Sequence, residues 1–499
     1  MRKVNRLTRQ DRLFIAGVSV AYLVLSMSLL LSWPLFSPDE AIFADTAHNV
    51  LLGGHPSTTL VAGMESGSYW QPPAWFYCMA PVIGLFGYDI LPLRIVSMLV
   101  GLLVLWATFM LARRLDLSTW ATRTCLVLLA LNPNFVTYVK FARMDGLCVL
   151  LTILGLVAYA TSSVNGKALP LAGGIVLFGL AVLTHPLGLI GPATAGCHVF
   201  VGLRGTKKPR TGTLFWITLP VVIAVAVWFL FAGNHTDFWT QVRFQMERKS
   251  RPFPASMISF AERYRTLPLF GLLIPAGLLN SWTRVSHGSS RLPLLLALGA
   301  TISTVVVALS FEIPYHVYCL PFLSIACAGF LERYSRDKHP IRVGALVAMI
   351  AVLCNFVAYF LFFNYEFHWA LRHETDYGTF TAKIAEEIPQ GSTVCIAGYP
   401  SAYWGLIGVN RGYRLLDETF LSDSLGIQVS KRAEWFVVVN GLTSRDDSPD
   451  VVSQVDMMQR YAAKAGKTCI LMNFIGERRR FAYSARVFRL LPREGMSAF

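Results

Sequence analysis

Long uncharged apolar blocks alternate with short basic clusters along the first 363 residues of the chain. The first block, 13–36, has no charge in about two dozen positions, enough for a helix to cross roughly 30 Å of hydrocarbon at about 1.5 Å per residue. No small-residue cleavage site follows it, so we expect a retained helix rather than a signal peptide. The pattern predicts eleven membrane spans, at 13–36, 91–112, 119–138, 146–163, 168–184, 187–202, 213–232, 265–282, 293–310, 316–330 and 343–363.

The composition and charge agree with this pattern. Of the 499 residues, 54% are hydrophobic and only 15% are charged, with a formal net charge of +15, and the mean hydropathy is +0.50. If the spans alternate, one side of the membrane carries all five basic clusters, which lie at 1–12, 113–123, 203–212, 283–292 and 331–342. Positive loops stay in the cytoplasm, so we expect a cytoplasmic N-terminus. The net charge is therefore a topology signal rather than a nucleic-acid footprint, and no zinc-finger or RNA-binding motif accompanies it.

The chain changes character after about residue 364. An odd number of spans places this tail outside, and we expect the protein in a bacterial inner membrane. Apolar runs alternate with partly helical stretches, which predicts strands at 393–397, 435–439 and 468–472 and helices at 379–388 and 451–465. The predicted fold class is thus a polytopic α-helical membrane domain, 1–363, with an exported α/β domain, 364–499.

The nine cysteines form no CxxC pair, and most lie in predicted spans as small buried apolar residues. Cys395 and Cys469 lie instead in predicted strands of the exported domain. An oxidising compartment permits a disulfide there, but sequence alone cannot supply its geometry, and the pairing stays open.

The first outer loop, 37–90, contains no Lys or Arg and opens with the adjacent carboxylates Asp39 and Glu40. It also holds Gln71, directly before two prolines, and an apolar stretch, 74–86, that fits an interfacial helix. A carboxylate beside hydrocarbon is costly, so a functional interpretation of Asp39 competes well with that of a helix cap or solvated acid.

Other outer loops supply cations and aromatic residues. Arg143 with Asp145 could form a structural ion pair, His185 could be structural, and the basic residues of 243–251 could contact lipid headgroups. As candidates for substrate binding we take Lys140, Arg143, His185, Arg243, Arg248, Lys249, His316 and Tyr318, together with Gln71.

These groups match the needs of sugar transfer from a polyprenyl-phosphate carrier. The donor's phosphate is itself the leaving group, so cations must stabilise its growing charge. A carboxylate can take the proton of an acceptor hydroxyl as that hydroxyl attacks the anomeric carbon. No nucleotide-binding loop is required, and no G-x-x-x-x-G-K-[ST] motif occurs.

The order of the motifs resembles that of GT-C type membrane glycosyltransferases. These motifs are Asp39-Glu40, Gln71-Pro72-Pro73, Leu91-Pro92-Leu93-Arg94, Ala142-Arg143-Met144-Asp145, Leu183-Thr184-His185-Pro186 and Tyr318-Cys319-Leu320-Pro321. Over residues 10–330 the chain is similar to the branch with the protein O-mannosyltransferases and the lipid A aminoarabinose transferases. The resemblance implies an inverting single displacement with Asp39 as catalytic carboxylate, Asp145 as a second active-site acid beside Glu40, and Tyr318 as a donor-phosphate contact.

Two positions depart from that family. The aminoarabinose transferases have Glu-Lys before the paired prolines, for a metal ligand and a phosphate-binding lysine, where this chain has Trp70-Gln71. They also have an arginine where Ile42 stands. We therefore expect no cofactor, find no support for a divalent metal, and look to Arg143 or the 243–251 cluster for phosphate binding.

A transporter or flippase of polyprenyl-linked glycans is the alternative from another class. It would need functional charges within the spans, which are almost devoid of them. A degenerate, non-catalytic binding protein is a third possibility, against which the retained Asp39 argues. For the enzyme we expect a polyprenyl-phosphate-linked sugar, a glycan, lipid or protein acceptor, and the bilayer as partners.

Overall fold

The structure is a computed structural model. It describes residues 8–28, 30, 37–165, 168–203, 211–232, 235–249, 258, 264, 267–287, 292–310, 313–335, 339–373, 377–399, 401–417, 423–441, 449–476 and 483–493.

Helices form at each predicted apolar block. In the N-terminal part they are α1 (Arg9–Ser28), α2 (Pro38–Gly53), α3 (Ala74–Phe86), α4 (Ile90–Arg114), α5 (Thr119–Ala130), α6 (Pro133–Tyr138), α7 (Asp145–Asn165), α8 (Ala168–Thr184), α9 (Ile190–Leu203), α10 (Thr211–Phe231), α11 (His235–Lys249), α12 (Pro268–His287), α13 (Leu292–Ser310), α14 (His316–Ser335) and α15 (His339–His373). Short 3₁₀ turns at Pro186–Leu189 and Ile313–Tyr315 precede α9 and α14.

Among the described residues, six stretches are long and apolar enough to cross a membrane by length and composition. They are Arg9–Met27, Ile90–Arg114, Asp145–Ser163, Leu214–Phe231, Leu292–Ser310 and Val343–Leu361. Three shorter apolar helices cover Ala74–Phe86, Leu169–Thr184 and Pro186–Val201. The described helices therefore have the character of a membrane protein.

The predicted span 119–138 is two helices rather than one. The break lies at Asn132, whose side-chain oxygen accepts hydrogen bonds from the backbone N–H groups of Asn134 (3.0 Å) and Phe135 (3.2 Å). Pro133 then fills the first position of α6, where its missing N–H costs nothing. The sequence Asn132-Pro133 therefore starts a new helix at this point.

The first outer loop is largely helical. The interfacial helix predicted at 74–86 is α3, whereas α2 lies in a stretch for which no helix was predicted. Pro38 occupies the first turn of α2, and the backbone N–H of Ser37 donates to Glu40 Oε2 at 3.1 Å. This N-terminal cap orients the helix that carries Asp39.

The C-terminal part contains a five-stranded mixed sheet flanked by helices. Its elements are α16 (Tyr377–Glu387), β1 (Thr393–Tyr399), α17 (Tyr403–Gly408), β2 (Arg414–Asp417), α18 (Asp423–Arg432), β3 (Trp435–Gly441), α19 (Pro449–Lys464), β4 (Lys467–Gly476) and β5 (Tyr483–Pro492). The sheet order is β2-β1-β3-β5-β4. Strand β1 pairs in parallel with β2 and β3, and β5 pairs antiparallel with β3 and β4.

The sheet order excludes a disulfide between Cys395 and Cys469. These residues lie on β1 and β4, which β3 and β5 separate. Three strand spacings of about 4.8 Å far exceed the Cα separation of roughly 7 Å that a disulfide tolerates. Both are free thiols, and the pairing that the sequence left open does not form.

The sheet domain packs directly against the first outer loop. The Asp417 backbone N–H donates to the Leu60 carbonyl at 2.7 Å, and the hydroxyls of Tyr88 and Tyr403 are hydrogen-bonded at 2.6 Å. Buried apolar residues from α2, α3, α16 and all five strands form one core cluster. The C-terminal domain therefore supports the helix that begins at the candidate site.

Candidate active site

Glu40 is the centre of a buried ion pair. Arg94 of α4 donates from Nε to Glu40 Oε1 at 2.9 Å and from Nη2 to Oε2 at 2.7 Å, and both side chains are 0% exposed. The Ala142 backbone N–H also donates to Oε1 (2.9 Å), and Arg94 Nη1 donates to the Leu30 carbonyl (2.8 Å). Glu40 thus ties together α2, α4 and the segment before α7.

Asp39, its neighbour, belongs to a second network. Arg143 donates from Nη1 to Asp39 Oδ2 and from Nε to Asp145 Oδ2, the latter at 2.9 Å. The Arg143 guanidinium also lies over the rings of Phe43 (5.6 Å) and Tyr315 (5.9 Å). The Asp39 side chain is 25% exposed, against 2% for Asp145. Of the two carboxylates, Asp39 is therefore the more accessible one.

The buried side of this network is closed by aromatic residues. The Tyr318 hydroxyl donates to Asp145 Oδ1 at 3.2 Å. His185 accepts from the Leu187 backbone N–H through Nδ1 (3.1 Å), so its Nε2 carries the proton and faces the Tyr315 hydroxyl at 3.2 Å. The His185 ring packs against Tyr315 and Tyr318, with centroids 5.1 and 5.6 Å away. Both oxygens of Asp145 are therefore occupied.

Lys140 and His316, two other candidates, are also buried. Lys140 Nζ donates to the Ser26 carbonyl at 3.4 Å, and burial together with the nearby Arg94 lowers the pKa of its amine well below the usual range, although Glu40 opposes this shift. His316 Nδ1 lies 2.9 Å from the Tyr264 hydroxyl. Lys140 thus packs beside the Glu40–Arg94 pair, and His316 links the start of α14 to Tyr264.

Gln71 lies in a buried turn that α11 holds in place. Gln241 of α11 accepts from the backbone N–H groups of Tyr69 (2.7 Å) and Trp70 (3.2 Å) and donates to the Gly67 carbonyl (2.9 Å). Gln71 is 7% exposed, and among the described residues its side-chain oxygen has no hydrogen-bond partner. Within the described part of the chain, that oxygen therefore has its acceptor capacity unused.

The basic cluster at 243–251 lies only partly within the described residues. Arg243 is exposed on α11, two residues after Gln241. Arg248 and Lys249 belong to the last turn of the same helix, but their side chains lie outside the described residues. Arg243 is therefore the cation of this predicted cluster whose exposure is known.

A divalent metal finds no ready donor set in the described part of the chain. Within it, no three His, Cys, Asp or Glu side chains come together as a metal site. Asp39 and Asp145 share one guanidinium, which competes with a cation for their oxygens. We therefore route no chemical step through a metal.

Sequence reasoning missed the roles of Arg94, Phe43, Tyr315 and Gln241. Arg94 could have been noticed from the sequence. No Lys or Arg occurs at the 57 positions 37–93, and Arg94 lies near the start of an apolar span. An arginine in such a place needs a partner. The partner could not be chosen from sequence, because Asp39 and Glu40 are adjacent.

The fold is that of the GT-C class of membrane glycosyltransferases. Residues 70–229 match the family model described as dolichyl-phosphate-mannose-protein mannosyltransferase. Among solved structures, ArnT from Cupriavidus metallidurans bound to undecaprenyl phosphate is similar, with 16% identity, a TM-score of 0.53 and coverage of 97% of this chain and 98% of that chain.

Two further relatives extend this comparison. The archaeal oligosaccharyltransferase AglB from Archaeoglobus fulgidus, in complex with an inhibitory peptide and a dolichol-phosphate, has 11% identity and a TM-score of 0.57, with coverage of 86% of this chain and 70% of that chain. An uncharacterised protein of Aquifex aeolicus is 25% identical over 198 residues, which span 40% of this chain and 39% of that relative. The predicted resemblance to GT-C glycosyltransferases of the mannosyltransferase and aminoarabinose transferase branch is confirmed.

Proposed function

We propose that this protein transfers a sugar from a polyprenyl-phosphate carrier to the hydroxyl of an extracytoplasmic acceptor, with inversion at the anomeric carbon. One observation carries the proposal: Asp39 is a partly exposed carboxylate fixed by a buried arginine at the start of α2. The lipid phosphates bound by ArnT and AglB support the donor class. The match to a mannosyltransferase family model supports sugar transfer.

In the proposed step, Asp39 accepts the proton of the acceptor hydroxyl as its oxygen bonds to the anomeric carbon. The bond from that carbon to the phosphate oxygen breaks at the same time, and the polyprenyl phosphate leaves with the electron pair. Arg143 orients Asp39, because its Nη1 donates a hydrogen bond to Asp39 Oδ2. A single displacement of this kind inverts the configuration of the sugar.

The other residues hold this geometry. Glu40 is a positioning residue rather than a proton acceptor, because Arg94, Ala142 and Ser37 occupy its oxygens. Asp145 positions Arg143, and Tyr318 in turn positions Asp145. Since the Tyr318 hydroxyl already donates to Asp145, it has no proton left for a phosphate, so we assign it this role instead of the expected phosphate contact.

The donor's phosphate needs a cation outside this group. Asp39, Asp145 and Arg143 together carry one net negative charge, which repels an anion. Arg243 is the candidate that the structure supports, because Gln241 fastens its helix to the turn that precedes Gln71. A nearby guanidinium would stabilise the charge that grows on the leaving phosphate.

The substitution Asp39→Asn tests the function. Loss of a general base costs about 10²–10⁴ in rate, so turnover of undecaprenyl-phosphate-mannose with cell-envelope extract as acceptor should fall by that factor. Donor binding should persist. Asp89→Asn is the matched control, because Asp89 is an exposed aspartate of the same loop that caps α4, and asparagine caps equally well. Near-normal turnover by Asp39→Asn would move the role to Asp145 or refute the enzyme.

A further inference from the structure

A cavity of about 810 Å³ lies between the first outer loop and the C-terminal sheet. The sheet contributes Thr393 and Arg414, which begin β1 and β2, and Glu434, which precedes β3. The loop contributes Thr59 and Glu65. We call this cavity the interdomain cleft. Its volume falls in the range of small-molecule sites, roughly 300–1,000 Å³.

The charges of the interdomain cleft are balanced. Two guanidinium groups, Arg414 and Arg432, face two carboxylates, Glu65 and Glu434. Arg432 lies 3.6 Å from Glu65, so this pair bridges the two walls. A balanced lining gives no net attraction to a phosphate or an acidic peptide. It does offer both donors and acceptors in a small space, as a neutral ligand with many hydroxyl groups requires.

The remaining lining favours a carbohydrate over a lipid or a nucleotide. Tyr413 and the threonines add hydroxyls, while the apolar lining residues Leu415 and Leu416 are buried rather than exposed as a lipid site would need. The cleft also lies at the amino ends of the parallel strands, whereas nucleotides in α/β sheets bind at the carboxyl ends. Sugars present hydroxyl edges and apolar faces, and the half-buried Ile407 and Tyr413 give this lining an apolar part beside its polar groups.

Hydrogen bonds connect the wall of the cleft to the helix that carries Asp39. Beside the lining residue Thr59, the Thr58 hydroxyl and the Thr59 backbone N–H donate to Asp45 Oδ2 at 2.7 and 2.9 Å. Asp45 lies six residues after Asp39 on α2, which is about 9 Å along the helix axis. A ligand in the cleft therefore contacts the loop residue Thr59, which is hydrogen-bonded to the helix that presents Asp39.

From this placement we infer that the interdomain cleft binds a carbohydrate portion of the acceptor. The inference rests on the proposed function and deepens it, since it narrows the acceptor to a glycan or a glycan-bearing molecule. The cleft seats the sugars already present, and the free hydroxyl then extends toward Asp39.

Saturation-transfer NMR on the full-length protein in detergent tests this inference. The probes are mannotriose, maltotriose and chitotriose. Two variants address the cleft: Arg414→Ala with Glu434→Ala removes one charge of each sign, and Thr59→Trp fills the space while keeping the backbone bond to Asp45. Arg460→Gln on α19 is the control, an exposed arginine of the same domain that does not line the cleft. Thermal unfolding checks that all variants fold.

At least one probe should bind, and both cleft variants should raise its Kd roughly tenfold or more. The double variant loses hydrogen bonds to charged groups, and Thr59→Trp fills the space that the probe would occupy. Arg460→Gln should bind like the parent. No binding by any probe, undiminished binding by both variants, or displacement by inorganic phosphate would overturn the inference. Asp39→Asn should bind the probe normally. If the parent protein binds the sugars but transfers none, only the proposed function is refuted. If the cleft variants transfer sugar with an unchanged KM for the acceptor, only the role of the cleft is refuted.

Discussion

Two adjacent acids have opposite environments in this protein. Glu40 is 0% exposed and paired with Arg94, while Asp39 is 25% exposed and held by Arg143. The difference arises because consecutive residues in the first turn of α2 project about 100° apart, so that Glu40 meets Arg94 of α4 and Asp39 meets Arg143. One helix turn thereby supplies both a structural anchor and a reactive carboxylate.

The buried pair should show a strong asymmetry in stability. Glu40→Ala or Arg94→Ala alone leaves an uncompensated buried charge, which costs about 3–5 kcal/mol of unfolding free energy. The double variant should cost clearly less than the sum of the two. Unfolding in an SDS titration followed by circular dichroism measures all three.

The Arg123–Asp11 pair provides the control for this cycle. Its N–O distance is 2.8 Å, but its side chains are 29% and 8% exposed, so Arg123→Ala should cost roughly 1 kcal/mol or less. If Arg94→Ala costs no more than Arg123→Ala, Glu40 does not anchor α2, and our separation of the two acids is wrong.

At the scale of elements, α11 connects the first outer loop to the basic residues that we expect to bind the donor's phosphate. Its Gln241 makes three hydrogen bonds to the backbone of residues 67–70. Phe238 of the same helix packs against Tyr69 and Ala232. The helix is therefore fixed relative to Gln71, and Arg243 is carried with it.

Removing Arg243 should weaken donor binding more than it slows the chemical step. Loss of a charge-assisted contact to phosphate is worth about 2–5 kcal/mol when the site is buried, and less at this exposed position, so we expect a Kd for undecaprenyl phosphate raised roughly tenfold in Arg243→Ala. Gln241→Ala should raise the Kd in the same direction by loosening the helix. Scintillation proximity binding to the purified protein gives these values.

Thr240→Ala is the matched control on α11. Its hydroxyl bonds only within the helix, to the Thr236 carbonyl at 2.9 Å. This variant should bind like the parent. Unchanged affinity in Arg243→Ala as well would place the phosphate elsewhere, with Arg143 as the next cation to test.

The sequence predicts regular elements well where one signal dominates. Apolar length placed the helices, and the predicted interfacial helix at 74–86 has the bounds of α3. Strands β1, β3 and β4 coincide with the three apolar runs. Strand β2 has only four residues and β5 carries two arginines, so neither forms an apolar run. Helix α2 was not predicted because acids and a histidine interrupt its apolar positions.

The members of the candidate site and its local Arg143–Asp145 pair were predictable from the sequence, but its long-range pairs were not. Asp39, Arg143, Asp145, His185 and Tyr318 were all singled out, and the structure brings them together through direct contacts. Which acid pairs with which arginine depends on long-range packing, since the partners are 54 and 104 residues apart. Sequence spacing carries no such information.

For the whole molecule, contact between the C-terminal sheet and the first outer loop constrains the topology. The hydrogen bonds from Tyr403 to Tyr88 and from Asp417 to Leu60 require both parts to lie on one side of the membrane. By the positive-inside rule, we expect the basic connecting loops of the other side to lie in the cytoplasm. The chain between them must therefore cross the membrane an even number of times.

Reporter fusions at residues 208 and 430 test this arrangement, and we expect opposite sides, with 208 cytoplasmic and 430 extracytoplasmic. A third fusion at residue 118, beside another basic cluster, should agree with 208. The eleven predicted spans place ten crossings between Tyr88 and Tyr403, an even number as their contact requires, whereas the six described stretches that are long and apolar enough place five there. A cytoplasmic report at both 208 and 430 would reject the eleven-span arrangement. Because the sheet domain is fixed to the loop that carries Asp39, it would also move the proposed sugar transfer to the cytoplasmic face.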